Sequence, residues 1–252
     1  DFQWDLTLNG SYNTTKVISL LTDKPGERIT VGTHVFNGEL RQVVGQEMGQ
    51  IYGFGFKRDA SGNKIFGGNG IAIRTPDLIS FGSAIPKYVG GFTNTFNYKG
   101  ISLSALIDFK LGNMMLSGTN FNLVREGLHK MTLEGRDGIV GVGVNEQGGQ
   151  NTVKAGIQPY WEVIRSQALI EPVVFDGGYW KLRQITAGYD FTKYLSPKSP
   201  IKGIKLSFVA NNVLMLKKYV DNIDPESFGY SSDNLVGMES TGLPTTRSLG
   251  FN

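Results

Sequence analysis

The chain has 252 residues, no cysteine, 34 glycines and a formal net charge of +3. The missing cysteines exclude disulfides and cysteine metal sites, and the small, dispersed charge gives no indication of a nucleic-acid partner. No segment approaches the ~18 apolar residues of a membrane-spanning helix. Glycine is roughly twice as frequent as its usual ~7 %, which favours strands with bends and tight turns.

The first third of the chain contains two candidate strands. Phe2 to Tyr12 alternates apolar and polar residues over the ~9–11 positions of one tilted barrel strand. Because the chain opens within this pattern and not with a signal peptide, we expect a fragment or a processed piece. Alternation resumes at Ile51 to Arg58. A short hairpin is predicted over Ile29 to Phe36, and Gly67 to Pro86 is predicted to be loop.

The clearest pattern in the sequence is a β-hairpin. Tyr88 to Tyr98 and Ile101 to Leu111 each alternate, with single exceptions at Asn94 and Leu106. The two runs are separated only by Lys99-Gly100, a connection typical of tightly turning antiparallel strands.

A third strong strand is predicted over Asp176 to Phe191. Its apolar residues change parity half-way, and an extra residue near Arg183 and Gln184 would return them to one face, so we expect a β-bulge there. Aromatic residues stand at both ends. An apolar face, a polar face and terminal aromatics are typical of the wall of an outer-membrane barrel.

The connections between the predicted strands differ in length. Leu111 to Val174 has no sustained alternation and is predicted to hold a short helix near Asn122 to Met131. A strand is predicted around Ile204 to Asn211 and another at the C-terminus. Short turns, at Lys99 and near Pro197, alternate with long connections that begin near Lys57, Leu111 and Val213. Outer-membrane barrels have this asymmetry, with short periplasmic turns and long extracellular loops.

The polar strand face is mostly hydroxyl and amide, which suits a hydrated passage for neutral polar solutes. We expect these residues to point into a lumen: Gln3, Thr7, Asn9, Thr93, Thr95, Asn97, Ser102, Ser104, Thr186, Ser207 and Asn211.

Several phrases carry a family resemblance. In order they are FQWDLTLNGSYNTTKV (Phe2 to Val17), PKYVGGFTNTFNYKGISLSALIDFKLG (Pro86 to Gly112), FDGGYWKLRQITAGYDF (Phe175 to Phe191), DPE (Asp224 to Glu226) and LPTTRSLGFN (Leu243 to Asn252). Together they resemble the C-terminal part of the barrel in the SusC/RagA family, the TonB-dependent importers of Bacteroidota outer membranes.

The resemblance implies an all-β fold: the antiparallel C-terminal strands of a plugged, ~22-stranded transmembrane barrel with long extracellular loops. Residues 1–252 would form one segment of that barrel, about its last third, without the plug and ending before the expected terminal aromatic. The implied function is non-enzymatic uptake of oligosaccharides or peptides across the outer membrane of a Gram-negative bacterium. The implied partners are the bilayer, the rest of the barrel, a SusD-like lipoprotein lid, and TonB acting through the plug.

Two residue groups are candidate sites. Tyr160 and Trp161 lie in a predicted outside loop and could stack on a sugar ring, although packing within the loop or against the lid is the favoured interpretation. Asp221, Asp224 and Glu226 have hard oxygen ligands at a spacing that can hold Ca²⁺, against the simpler alternative of a solvated acidic loop. No other cofactor is predicted.

Two other functions compete with the importer. A soluble, carbohydrate-binding β-sandwich also has strands with one apolar face, so the decisive question is whether Phe92 and Ile101 meet lipid or a second sheet. A membrane-embedded hydrolase needs a nucleophile beside a base. His34 and His129 lie in no such motif and are predicted to be surface residues, and no G-x-S-x-G elbow is present.

Overall fold

The computed structural model describes residues 1–22, 24–34, 36–227 and 235–252. In chain order its strands are β1 (Phe2–Tyr12), β2 (Arg28–Thr33), β3 (Glu39–Val43), β4 (Gln50–Gly53), β5 (Ile65–Phe66), β6 (Ile79–Ser83), β7 (Tyr88–Tyr98), β8 (Ile101–Leu111), β9 (Met114–Ser117), β10 (Ile139–Val140), β11 (Val144–Asn145), β12 (Lys154–Ala155), β13 (Val174–Asp176), β14 (Tyr179–Asp190), β15 (Lys205–Lys218), β16 (Met238–Glu239) and β17 (Ser248–Phe251). The helices of this described part are α1 (Gly118–Arg125) and α2 (Ile157–Ser166), with 3-10 turns at Lys130–Thr132, Glu171–Val173 and Thr192–Tyr194. Neither helix is long and apolar enough to cross a membrane.

The largest sheet, called the wall here, has six strands in the order β1-β7-β8-β14-β15-β17, and every neighbouring pair is antiparallel. The predicted strands over Phe2 to Tyr12, Tyr88 to Tyr98 and Ile101 to Leu111 are confirmed, as is the tight turn at Lys99. An all-β antiparallel arrangement is therefore the observed fold.

The pairing register of the wall strands places the apolar positions of each strand opposite the apolar positions of its neighbours. One row runs through Leu8, Phe92, Ile107, Leu182 and Leu214, each paired with the next across adjacent strands. Because the side-chain period of a strand is two, this alignment collects the apolar residues on one face, and we call it the apolar face. The other face, called the polar face, carries the residues that were predicted to line a lumen.

No second layer covers the apolar face in the part of the chain that the structure describes. Leu8 is 71 % exposed, Phe2 64 %, Leu214 52 % and Leu103 44 %. A soluble sandwich buries such residues against a second sheet about 10 Å away. The β-sandwich alternative is therefore not the observed architecture.

The predicted bulge is confirmed. The pairing of β14 with both of its neighbours shifts register between Leu182 and Gln184, which leaves Arg183 as the extra residue. A bulge bends a strand and re-aims one side chain. Here the re-aimed side chain is a charged one, with consequences described below.

The three long connections, residues 13–87, 112–178 and 219–247, all leave the same end of the wall. The short connections, 99–100 and 191–204, lie at the other end, as the loop asymmetry predicted. The first long connection begins at Asn13 and not near Lys57, because the predicted strand over Ile51 to Arg58 is not in the wall.

That stretch contributes instead to a separate four-stranded sheet, β2-β3-β4-β6. All four residues of β4 are buried, including Gln50 and Tyr52, so period-2 alternation there did not mark a face exposed to solvent or lipid. The predicted hairpin also differs in its bounds: β2 and β3 span 28–43, with the turn at Asn37-Gly38. The predicted loop from Gly67 to Pro86 contains β6.

The described parts of the long connections pack together into one folded unit, called the loop layer here. It combines the four-stranded sheet, a three-stranded sheet (β13-β9-β16), two small ladders and both helices. The predicted helix near Asn122 to Met131 is α1, which begins and ends a few residues earlier. Residues from all three connections share one buried core: Leu40, Ile51, Ala84, Leu116, Phe121, Val124, Val163, Ile164, Leu169, Ile170, Val173, Leu235 and Met238.

Candidate functional site

The polar face of the wall is the first part of the candidate site. Its side chains satisfy one another across strands: Thr95 and Ser104 hydroxyls lie 3.0 Å apart, and Gln184 donates to Asn211 at 2.8 Å. Asn211 in turn donates to Ser248 at 3.1 Å. Such a face of neutral hydrogen-bonding groups is stable in contact with water and presents both donors and acceptors to a polar solute.

A cluster of charged side chains lies on this face at the end nearest the loop layer. We call it the anchor and define it by Asp108, Lys181, Arg183, Asp224 and Glu226. The Lys181 side chain is only 3 % exposed, and its Nζ lies 2.6 Å from Glu226 Oε2 and 3.6 Å from Asp224 Oδ2. The Lys181 ammonium therefore links strand β14 of the wall to the last long connection.

Arg183, the bulged residue, also links β14 to the last long connection. Its guanidinium forks onto Glu226, with Nη2 at 2.7 Å from Oε1 and Nη1 at 2.9 Å from Oε2. Its Nε donates to Asp108 on the neighbouring strand at 2.8 Å, and Nη1 donates to Asn212 at 3.0 Å. Tyr179 completes the shell by donating its hydroxyl to Glu226 at 2.7 Å.

The environment keeps the loop carboxylates ionised. Burial raises the pKa of Glu226, but hydrogen bonds from Arg183, Lys181 and Tyr179 outweigh it and lower the pKa to about 2. Burial likewise raises the pKa of Asp224, and the net shift is still downward because Thr245 and the backbone at Glu226 donate to it. Charge-assisted hydrogen bonds of this kind are about twice as strong as neutral ones.

The three carboxylates proposed as calcium ligands are not brought together. Asp224 and Glu226 face the cations of the anchor, while Asp221 pairs with Lys130 elsewhere in the loop layer. The described residues form no group of three or more potential metal ligands. The calcium prediction finds no support in this geometry, because lysine and arginine occupy the positions a cation would take.

Tyr160 and Trp161 both lie on α2. Their rings meet edge to face at 5.2 Å, and Tyr160 stacks on Phe66 at 6.3 Å. Trp161 also packs against the loop-layer core and lines an open cleft of about 570 Å³ together with Thr132 and Arg136. The structure thus gives both residues a packing role, and contact with a substrate stays a prediction.

The two histidines are buried, so their predicted surface position is wrong. Each is 2 % exposed, and each accepts a backbone N–H two residues ahead through Nδ1: from Phe36 to His34 at 3.2 Å and from Met131 to His129 at 3.1 Å. Burial lowers the pKa of His34 to about 4, against the opposing effect of Glu239. Both imidazoles stabilise turns.

Glu239 is a structural residue that sequence reasoning missed. It is fully buried, and it accepts hydrogen bonds from Ser117 at 3.0 Å and from the backbone and hydroxyl of Thr119 at 2.9 and 2.7 Å. Ser117 itself caps α1 by accepting from Asn120 at 3.1 Å. A carboxylate at a helix N-terminus is favoured by the helix dipole. The local cap is readable from sequence, but its partner more than 100 residues away is not.

Comparisons with known proteins bear on the fold. No family model matches the chain. The TonB-dependent receptor P3 of Formosa agariphila is 24 % identical over an alignment that covers 100 % of this chain and 27 % of that protein.

Solved structures give the same picture. The RagAB peptide importer in its closed-closed state aligns with a TM-score of 0.65 at 14 % identity, over 100 % of this chain and 27 % of that one. The open-open state gives 0.64 at 15 % identity, over 100 % and 26 %. The chain therefore spans about a quarter of the length of these proteins, and the likeness shows a shared fold.

Proposed function

Because the comparisons support assignment to the SusC/RagA family, we propose that this chain is part of a TonB-dependent nutrient importer of the outer membrane. The wall would separate lipid from an aqueous passage, and the loop layer would form the passage's outer mouth. The observation that carries this proposal is the pairing of an exposed apolar face with a polar face across the same six strands.

The dimensions of the wall support a membrane position. The strands β1, β7 and β8 each have 11 residues. At ~3.3 Å per residue and a tilt of ~40°, such a strand rises through about 25 Å, which is the height of the apolar band of an outer-membrane barrel. Aromatic residues mark both limits of that height, with Phe2 paired to Tyr98 at one end and Tyr12 to Tyr88 at the other.

The wall has two open edges, at β1 and β17, among the residues described. Unpaired backbone groups cannot face lipid, so both edges need partner strands from the remainder of the same barrel.

TonB would act on this assembly through the plug of the full-length protein. A SusD-like lipoprotein would close over the loop layer, a role supported by the likeness to the RagAB importer structures in open and closed states.

The transported solute would be an oligosaccharide or a peptide. The polar face presents hydroxyl and amide groups along most of its length, which suits neutral polar oligomers of either class. The matched proteins carry names of a receptor and of peptide transport, and none is named as an enzyme. A role in transport and not in catalysis is in keeping with these names.

The proposal is tested with the full-length protein expressed in a Bacteroidota host. Membranes are separated, and the protein is then sought in the outer-membrane fraction and challenged with alkaline carbonate. Retention in the outer membrane until detergent is added is the expected result. Release as a soluble, monodisperse protein without detergent would refute it.

A further inference from the structure

We propose that the two described arms of the last long connection, residues 219–227 and 235–247 and together called the third loop here, are folded inward and fixed against the passage side of the wall, with Lys181 as the positioning residue. The third loop would narrow the outer mouth permanently and would not act as a moving gate. The inference rests on the proposed function, and it concerns the anchor, whose loop residues come from the DPE phrase.

The first step is the side of the wall on which the third loop lies. Lys181 pairs with Asp108 on one neighbouring strand and with Met215 on the other, opposite in parity to Trp180 and Leu182 of the apolar face. Loop residues that hydrogen-bond the Lys181 ammonium must therefore lie on the polar face. If that face borders the passage, the loop occupies part of it.

Both arms of the third loop reach this position. On the incoming arm, Asp224 and Glu226 contact Lys181; on the outgoing arm, Thr245 accepts from Lys181 at 2.7 Å and donates to Asp224 at 2.5 Å. The arms are also joined by Ser227, whose hydroxyl donates to the Leu243 carbonyl at 2.7 Å. The loop is thus closed on itself at the point where it is tied to the wall.

The second step is the permanence of the contact. The side chains of Lys181, Asp224 and Glu226 are 3, 11 and 15 % exposed, so separating them would leave charges in a poorly hydrated site. Removing one partner of a buried ion pair is strongly unfavourable. The third loop has another ion pair, between Asp221 and Lys130, whose side chains are 55 and 71 % exposed. Because exposed ion pairs contribute little to stability, this pair should fix the loop much less firmly than the anchor does.

The test is hydrogen exchange of the full-length protein in detergent, read on the backbone amides of Glu226 and Ser227. These amides donate to Asp224 at 3.0 and 2.8 Å. A fixed loop predicts exchange as slow as in peptides from β14. Exchange as fast as in the exposed turn at 196–199 would overturn the proposal, because it would show the loop leaving the wall in the resting protein.

Variants connect the protection to the anchor. The double variant Lys181→Met with Glu226→Gln should raise exchange at 224–227 at least about a hundredfold while wall peptides stay unchanged. Glu226→Gln alone keeps the shape of the site and serves if the double variant does not accumulate. Lys130→Met, the matched control on the exposed pair, should leave exchange at 224–227 unchanged.

Equal acceleration by Lys130→Met, or no acceleration in the anchor variants, would overturn the assignment of Lys181 as the positioning residue. The readout needs neither membrane insertion nor a substrate. Failure of the importer proposal would appear as solubility without detergent, whereas failure of this inference would appear only as fast exchange in the third loop.

Discussion

Two neighbouring apolar residues of β8 should lose very different amounts of stability when replaced by a charged residue, if the wall separates lipid from water. Ile107 lies in the apolar row with Phe92 and Leu182, whereas Leu106 pairs with Thr93 and Gln184 on the polar face. The two residues have the same backbone depth and are both aliphatic. The two arginine variants therefore differ in the environment of the guanidinium, which is lipid in Ile107→Arg and water in Leu106→Arg.

The expected magnitude follows from depth in the wall. Ile107 is the seventh of the 11 residues of β8, about 15 Å up a wall ~25 Å high at ~3.3 Å per residue and a tilt of ~40°, close to its middle. Ile107→Arg should then lower the free energy of unfolding by ~2–4 kcal/mol. Leu103 lies four residues before Ile107, about 10 Å nearer the inner limit of the wall by the same geometry, so Leu103→Arg should cost roughly half as much.

Leu106→Arg should cost less than about 1 kcal/mol, because the polar face is hydrated and the long side chain can reach water. The assay is equilibrium unfolding in guanidinium of the full-length protein folded into phospholipid vesicles, followed by tryptophan fluorescence. The reasoning is refuted if Ile107→Arg and Leu106→Arg cost the same. It is equally refuted if the larger cost falls on Leu106→Arg.

Three further predictions concern stability. The folded pKa of Glu226, about 2, lies below the usual 4.5, so its contribution to stability is present above pH ~4.5 and is lost as pH falls towards 2. Proteolysis at graded pH should therefore show release of the third loop in acid, and this dependence on pH should be weaker in Glu226→Gln, where Asp224 is the remaining titrating carboxylate of the loop in the anchor. Glu239→Ala removes the buried acceptor for Ser117 and Thr119 and should destabilise the loop layer by at least ~3 kcal/mol. Trypsin should then cleave the loops of this variant while the wall stays intact. Equal cleavage in the exposed control Glu134→Ala would contradict this prediction. Gly90→Ala would place a Cβ 2.6 Å from the Asn9 carbonyl, whereas the same change at Gly10 meets nothing within 4 Å. Only Gly90→Ala should destabilise the wall, by ~1–3 kcal/mol. The measurement is the temperature at which the band of folded protein disappears in gel electrophoresis, which should fall for Gly90→Ala and stay unchanged for Gly10→Ala.

The sequence by itself determined the wall. Each wall strand lies between two different solvents, so its composition must alternate with period two, and that signal is local enough to read residue by residue. The parity change between Trp180 and Ile185 required an extra residue, and the structure shows the bulge at Arg183. The ends of β7 and β8 followed from the same alternation and a two-residue turn.

Only the tertiary structure decided the loop layer and the anchor. Ile51 to Arg58 alternates like a wall strand, yet β4 is buried on both faces because other connections fold over it. Asp224 and Glu226 resemble metal ligands in sequence, whereas in the structure Glu226 is bound by a lysine and an arginine more than 40 residues away. Alternation reports which solvent a strand faces, whereas the partner of a buried charge depends on contacts between distant segments, which no local pattern encodes.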